Sequence, residues 1–327
     1  MVKRILLSID DLGNRFALHR ACECPALIIL LFHGLIKNRK ELRSGSIDPA
    51  LQYAATVTQL RQVAAYFCKH GYRFVSPQDI LDGLPAGGRF AMLNFDDGYY
   101  NNTLALGVLE EFSVPAVFFV TTDNVLRGKC FWWDVQYRRR RSQGRSLGQI
   151  YAEQRMLMSR SERERETYLV EVFGAGAFEP EGDIDRPFTP SELCEFAAHP
   201  KVHIGNHAHR HVSLSGYPVR EQRFYIQRCQ QALDEMIGYK PVIIAYPSGR
   251  FSQQTVVVAR QQGLRLGVSL TPGRNYLPLA PDDPRIFSLS RFVLNGNHPI
   301  LPQLRQMRSD CSVYTAIKRI FRKTIPY

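Results

Sequence analysis

Three short segments carry residue types that could do chemistry. The first, Asn94-Phe95-Asp96-Asp97-Gly98, places two adjacent carboxylates at the end of an apolar run. Successive side chains of a strand point to opposite faces, so one carboxylate can bind a metal while the other faces a substrate. Gly98 permits a sharp turn there. The second segment, Ile204-Gly205-Asn206-His207-Ala208-His209-Arg210-His211, follows another strand-like stretch. His207 and His211 are four apart, so one helical turn would set both imidazoles on one side. Imidazole suits zinc and similar divalent ions, and two histidines with one carboxylate leave positions open for water and substrate. His203 and His209 compete for the same role, and spacing alone does not exclude them. The third segment, Ile243-Ile244-Ala245-Tyr246-Pro247-Ser248-Gly249, is a strand running into a turn whose backbone amides could hold an oxyanion. Each segment also has an ordinary reading: a turn or helix cap, a histidine-rich polar loop, and a Pro-Gly turn.

The elements that must position these residues alternate. Ala26–Phe32 is a continuous apolar run, as expected of a strand covered on both faces. Leu60, Val63, Ala64 and Phe67 recur at helical spacing, and His70-Gly71 closes that helix. Strands are expected at 73–75, 90–95 and 116–120, with a helix at 102–112. After a break the alternation resumes with helices at 191–198, 219–236 and 255–263. Strands are expected at 202–204, 242–246, 266–270 and 291–294. Seven or eight βα units predict an α/β fold, either a barrel or a doubly wound sheet, with chemistry at the carboxyl ends of the strands. Between about 127 and 186 the alternation stops. That stretch holds Arg138–Arg141 and the charge-mixed SRSERERETYLVEVF. It is expected to be a helical insertion over one face, either a lid or a solvated helix pair.

Composition bounds the rest. A net charge of +12 across 327 residues favours anionic partners. The basic residues are dispersed and no zinc-finger, helix-turn-helix or RNA-binding signature is present, so a nucleic-acid partner is not expected. Seven cysteines without a CxxC pair argue against a disulfide framework and fit a reducing cytosol. The start is a poor signal peptide because Asp10 and Asp11 interrupt its apolar run. The C-terminal YTAIKRIFRKTIPY sets Tyr314, Ile317 and Phe321 on one stripe among Lys318, Arg319, Arg322 and Lys323. Such an end can lie on an anionic membrane. The chain is therefore expected in the cytoplasm, with peripheral contact on the inner face of the membrane. Three segments are expected: an extension at 1–25, a domain at 26–300 and a basic tail at 301–327.

Taken together, the three segments resemble the polysaccharide deacetylases, carbohydrate esterase family 4, which share the NodB homology domain. The order matches: DDG, a helix and a VPAVFFV strand, IGNHxxxH, then YPxG. Weaker echoes lie in LLFHG at 30–34, HGYRFVS at 70–76, Phe131-Trp132-Trp133-Asp134 and Leu289-Ser290-Arg291-Phe292, so the likeness spans roughly 26–295. It implies a distorted (β/α) barrel of seven or eight strands. It also implies removal of N-acetyl groups from a glycan or a lipid-linked sugar, with one divalent metal, zinc expected. Asp97, His207 and His211 match the metal triad, and Asp96 matches the general base. The Tyr246–Gly249 loop matches the oxyanion support, through the Ser248 amide, with Tyr246, Pro247, Trp132 and Trp133 on the substrate side. A deformylase of a lipid-linked sugar and an inactive glycan-binding domain remain as alternatives.

Three departures from the family pattern stand out. Ala208 replaces a hydroxyl residue. Ala245 replaces the arginine at the head of the third motif. No Leu-x-His signature marks a general acid, and His298, the sole histidine after His211, is the candidate for that role, with a surface histidine as the competing reading. A base carboxylate needs a neighbour that keeps it ionised and oriented. Arg291 is the expected replacement because it begins a late apolar strand and barrel strands converge on one centre. Arg250 is the runner-up, and pairing of Arg291 with Asp282 or Asp283 is the competing structural reading.

Overall fold

The computed structural model describes residues 11–18, 23–48 and 55–309. Its centre is a curled sheet of parallel strands. In chain order the strands are β1 (Ala26–Phe32), β2 (Leu35–Ile36), β3 (Ala55–Thr56), β4 (Arg73–Phe74), β5 (Phe90–Phe95), β6 (Ala116–Val120), β7 (Val202–Asn206), β8 (Ile243–Ala245), β9 (Leu266–Val268), β10 (Asn275–Tyr276) and β11 (Phe292–Val293). The main sheet runs β10-β1-β5-β6-β7-β8-β9, with β4 on β5 and β11 on β1, while β2 and β3 form a separate pair. Every pair in the main sheet is parallel except β1 with β10.

The curl closes through the chain between β9 and β11. Val268 bridges to Leu289 in parallel, and Phe292 and Val293 pair with Leu30 and Leu31 of β1. A ring of β1, β5, β6, β7, β8, β9 and β11 results, which is the distorted (β/α) barrel. Its strands read as unbroken apolar runs because both faces are covered: all residues of β1, β5 and β6 are buried.

Helices pack on the outside by the predicted stripes. In Val57–Lys69 the residues at spacings of three and four, Leu60, Val63, Ala64 and Phe67, are the buried ones, and Thr56 with Gln59 forms a capping box at its start. The expected helix at 102–112 is instead a 3₁₀ turn, Tyr100–Ala105, leading into an α-helix, Leu106–Phe112. Buried Asn101 and Asn102 explain the tight start. Their side-chain amides donate to Ile184 O and His33 O, which ties this turn to two other loops.

The insertion is three helices, Trp132–Ser142, Leu147–Met158 and Glu162–Phe173. It has its own core of Val135, Leu157, Leu169 and Phe178. Arg138 is buried within it, paired with Asp185 and donating to the carbonyls of Ala177 and Glu179. The Arg138–Arg141 run is thus not one solvated basic face.

Both ends of the described chain join the body. Residues 11–18 are helical, and Asp11 pairs with Arg305 at 2.6 Å. Glu23 pairs with Arg308 at 2.8 Å. Helix Ile300–Arg308 buries Leu304 and Met307 in the main core, so the barrel domain extends past the expected boundary at 300. The basic stripe at 314–323 lies outside the described residues. No described helix is long and apolar enough to cross a membrane, and the five described cysteines are free thiols.

Candidate active site

The carboxyl ends of the parallel strands converge on one cavity of about 450 Å³, lined by Asp96, Asp97, His33, His211 and Ser248 among others. Asp96 and Asp97 follow β5 directly. Strand alternation predicts that they face apart, yet both reach this cavity. The reason is a left-handed backbone at Asp97, φ +80°, followed by Gly98 at φ +87°. A Cβ on Gly98 would meet the Val120 side chain at 3.1 Å, so the turn needs glycine for space as well as for angle.

His207 follows β7, and the link to His211 is not the helical turn that their spacing suggests. The segment after Asn206 is irregular, with Ala208 at φ +61°. Asn206 holds the bend by accepting from the Ala208 amide at 2.8 Å. The result is still convergence. His207 Nε2 lies 3.5 Å and His211 Nε2 3.6 Å from Asp97 Oδ1. That oxygen is buried and makes no hydrogen bond. The three ligand atoms lie within 4.8 Å of one another. Two imidazole nitrogens and one carboxylate oxygen, spaced beyond hydrogen-bond length around an orphaned buried acceptor, fit a divalent cation such as zinc. His207 Nδ1 sits 2.8 Å from Ala245 O, which fixes its proton there and turns the Nε2 lone pair inward. Trp133 stacks edge-on to His211 with centroids 5.0 Å apart. It is anchored by its indole N–H, which donates to Tyr99 Oη at 2.9 Å.

Asp96 has a different environment. Arg291 is fully buried and donates to both of its oxygens, at 2.7 and 2.9 Å. Its Nε donates to Ser269 O at 2.9 Å, which locks the fork. Arg291 therefore pairs with Asp96 and not with Asp282 or Asp283. It can do so because it sits at the seam where the ring closes between β9 and β11. Burial alone would push the Asp96 carboxyl up, but Arg291 and His207 outweigh it and hold the group below its ordinary value. Asp97 is likewise held low against burial by His207 and His211. Burial pushes His211 down to about 4, so it is a neutral imidazole with a lone pair to offer.

The turn after β8 has Ser248 at φ +56° and Gly249 at φ +66°. A Cβ at Gly249 would lie 2.5 Å from Leu270 Cβ, so this glycine too is required by space. Gly249 N–H donates to Tyr246 O and Arg250 N–H to Pro247 O. The Ser248 amide has no such partner among the described residues, and Ser248 lines the cavity.

A family model described as polysaccharide deacetylase matches residues 84–267, more than half of the chain. The chain belongs to the polysaccharide deacetylase family. That match begins before the strand leading to Asp96 and ends beyond the turn holding Ser248, so it spans Asp96, Asp97, His207 and His211. Among curated proteins, Bacillus subtilis (strain 168) YxkH, whose name assigns it to the polysaccharide deacetylases, is 29% identical over 85 residues. That stretch is 26% of this chain and 30% of the relative, so the match spans under a third of the relative's length. Among solved structures, Streptococcus pyogenes deacetylase PplD in complex with acetate superposes with a TM-score of 0.56 at 18% identity, over 87% of this chain and 99% of the other. IcaB from Ammonifex degensii gives 0.55 at 20% identity, over 87% and 98%. At such identities these likenesses establish the fold.

Several expected site residues prove to have other places. Tyr246 is fully buried and donates to Phe287 O, so its side chain props the barrel instead of meeting a substrate. Pro247 is buried in the same turn. His298 is exposed in the loop before helix Ile300–Arg308 and does not line the cavity, because β11 ends before the chain reaches it. His203 lies near Asp79 and does not line the cavity, and His209 meets Thr122 Oγ1 at 2.9 Å. Trp132, Trp133 and Arg250 do line the cavity. So do residues that the sequence reading passed over: His33, Arg160, Arg165 and Tyr217. His33 had a signal, since it ends the most apolar strand just as Asp96 ends β5.

Proposed function

We propose that this chain hydrolyses the N-acetyl group of an amino sugar within a glycan, as a metal-dependent carbohydrate deacetylase. The observation that carries the reading is the orphaned Asp97 Oδ1 faced by two histidine Nε2 atoms, with the Arg291-held Asp96 beside it. Asp97, His207 and His211 would hold a divalent cation, zinc being the ion that two nitrogens and one oxygen suit best. Such an ion supplies Lewis-acid polarisation of the acyl carbonyl and a lowered pKa for water.

The chain's own residues supply the rest. Asp96, kept ionised and oriented by Arg291, accepts the proton of the attacking water. The Ser248 amide donates to the oxygen of the acyl carbonyl as negative charge builds on it. The carbon–nitrogen bond then breaks, acetate leaves, and the amine takes a proton. His298 is outside the cavity, whereas His33 lies within it beside both carboxylates, so His33 is assigned the donation of that proton. Acetate release from N-acetylated oligosaccharides, measured with and without chelator, tests the reading. Release that chelator abolishes and zinc restores supports it. No release from any N-acetylated glycan, or release that chelator leaves untouched, overturns it. Formate release from N-formyl sugars in place of acetate would change the acyl group.

A further inference from the structure

The cavity above Asp96 and Asp97 holds more positive charge than cleavage of a neutral acetamide calls for. Arg160, Arg165 and Arg250 all line it. Its two carboxylates are already engaged, Asp96 by Arg291 and Asp97 by the facing histidines. Arg165 is the unusual one. It projects from helix Glu162–Phe173 and is only 8% exposed. Its guanidinium lies 4.8 Å from the Trp132 ring centroid, over its face.

The other deeply buried arginines each have a carboxylate: Arg138 has Asp185, Arg291 has Asp96, and Arg308 has Glu23. Arg165 has neither ion pair nor side-chain hydrogen bond among the described residues. The acids within a turn of it on its own helix are taken. Glu162 pairs with Arg210 at 3.0 Å, Glu166 with Lys129 at 3.2 Å, and Glu164 accepts from the Ser161 amide at 2.8 Å. A guanidinium offers five N–H donors in a fixed fork, and burying it unpaired is unfavourable. Burial accordingly depresses its pKa. Arg165 lines the cavity, so a counter-charge can come from what the cavity receives.

We propose that Arg165 is the anchor of an anion subsite in this cavity, binding a phosphate or carboxylate carried by the sugar substrate. Arg160 and Arg250, both exposed at the mouth, add attraction at longer range. Stacking on Trp132 holds the fork in place before the ligand arrives. This inference rests on the deacetylase reading for its substrate, but the subsite can be tested without turnover.

The test is calorimetric titration of the full chain with glucose 1-phosphate, glucuronate and neutral glucose. None carries an amide, so binding is read independently of hydrolysis, and acetate release decides the parent reading separately. At low salt, at least one anionic sugar should bind ten or more times more tightly than glucose, and the preferred one identifies phosphate or carboxylate. Arg165→Met should lose about 10–100-fold of that affinity, the worth of a hydrogen-bonded charged contact. Arg165→Lys, which keeps the charge and loses the fork, should recover only part of it. Should Arg165→Met fail to fold, an Arg160→Met/Arg250→Met double variant at exposed positions should still flatten the salt dependence of anion binding. Anionic sugars that bind no better than glucose overturn the subsite, as does an Arg165→Met protein that folds and binds them like the parent.

Discussion

Removing the guanidinium of Arg291 tests the barrel seam and the base together. In the parent, Arg291 is fully buried and spans Asp96 through two charge-assisted hydrogen bonds of 2.7 and 2.9 Å. Arg291→Met keeps most of the stem and leaves Asp96 buried without its partner. Breaking a buried pair in this way costs about 3–5 kcal/mol. With an unfolding entropy of about 2.1 cal/mol/K per residue, a chain of this length should melt about 4–7 °C lower. Arg291→Met/Asp96→Asn removes both charges and should regain most of that loss, since the penalty lies in the orphaned charge. Scanning calorimetry of the parent, both single variants and the double variant measures the coupling. The sign of the pH effect follows from the same pair. Burial pushes Asp96 up and Arg291 pulls it down, so without Arg291 the carboxyl should titrate higher and the acid limb of activity should move to higher pH. In the parent a depressed carboxyl pKa adds stability above its unfolded value, and that stability is lost as pH falls through the folded one. A single variant that melts with the parent, or a double variant no more stable than the single, would refute the reasoning.

Asp96→Asn should keep bound metal while lowering kcat on the order of 10²–10⁴-fold, checked by elemental analysis beside acetate release. His207→Ala/His211→Ala should lose the metal outright, and full occupancy in that variant would remove the triad from consideration. His33→Gln should cut turnover on the order of 10²-fold or more with metal retained, if His33 protonates the leaving amine. Asp134 gives a separate pH signature. Burial pushes its carboxyl up to about 8 despite donors from the Asp48 amide and Tyr99 Oη. A folded pKa raised above the unfolded one contributes stability at low pH that is lost as pH rises through the folded value. Chemical denaturation should therefore show stability falling between about pH 4 and 8, by up to about 1.4 kcal/mol per unit. Asp134→Asn should flatten that slope.

Continuous apolar strands such as β1, β5 and β6 were legible because burial on both faces leaves no polar alternation to confuse. Asp97 and His207 were legible because each comes directly after a strand end, and His211 only through its spacing from His207. The way they converge was not, since spacing suggested a helix at His207–His211 and alternation suggested that Asp96 and Asp97 diverge. Left-handed residues at Asp97 and Ala208 overrule both, and neither is a glycine that would announce itself. Arg291 could be named because convergence of barrel strands is a general property. Arg165 could not, because nothing local in a charge-mixed helix says which arginine folds inward. Tyr246 misled for the opposite reason: its motif position is beside the cavity, but strand alternation turns its ring into the core.

Among the described residues four non-glycines have a left-handed backbone, and three of them, Asp97, Ala208 and Ser248, sit in loops at the strand ends around the cavity. The fourth, Ser113, merely ends the helix Leu106–Phe112. Each such residue costs on the order of 1 kcal/mol or more relative to a relaxed backbone. That cost is concentrated where ligands must converge, so thermal robustness and catalytic precision pull in opposite directions at these positions. A directed-evolution campaign that scored only melting temperature would be drawn toward glycine at 208 and 248, where φ is already suited to it. It would win a firmer fold and a looser cage, because glycine would let the histidine loop and the amide turn wander from their present settings. Hardening this protein for use should begin far from the strand ends, at exposed helix positions such as Val257 and Phe224, and leave the three contorted loops alone.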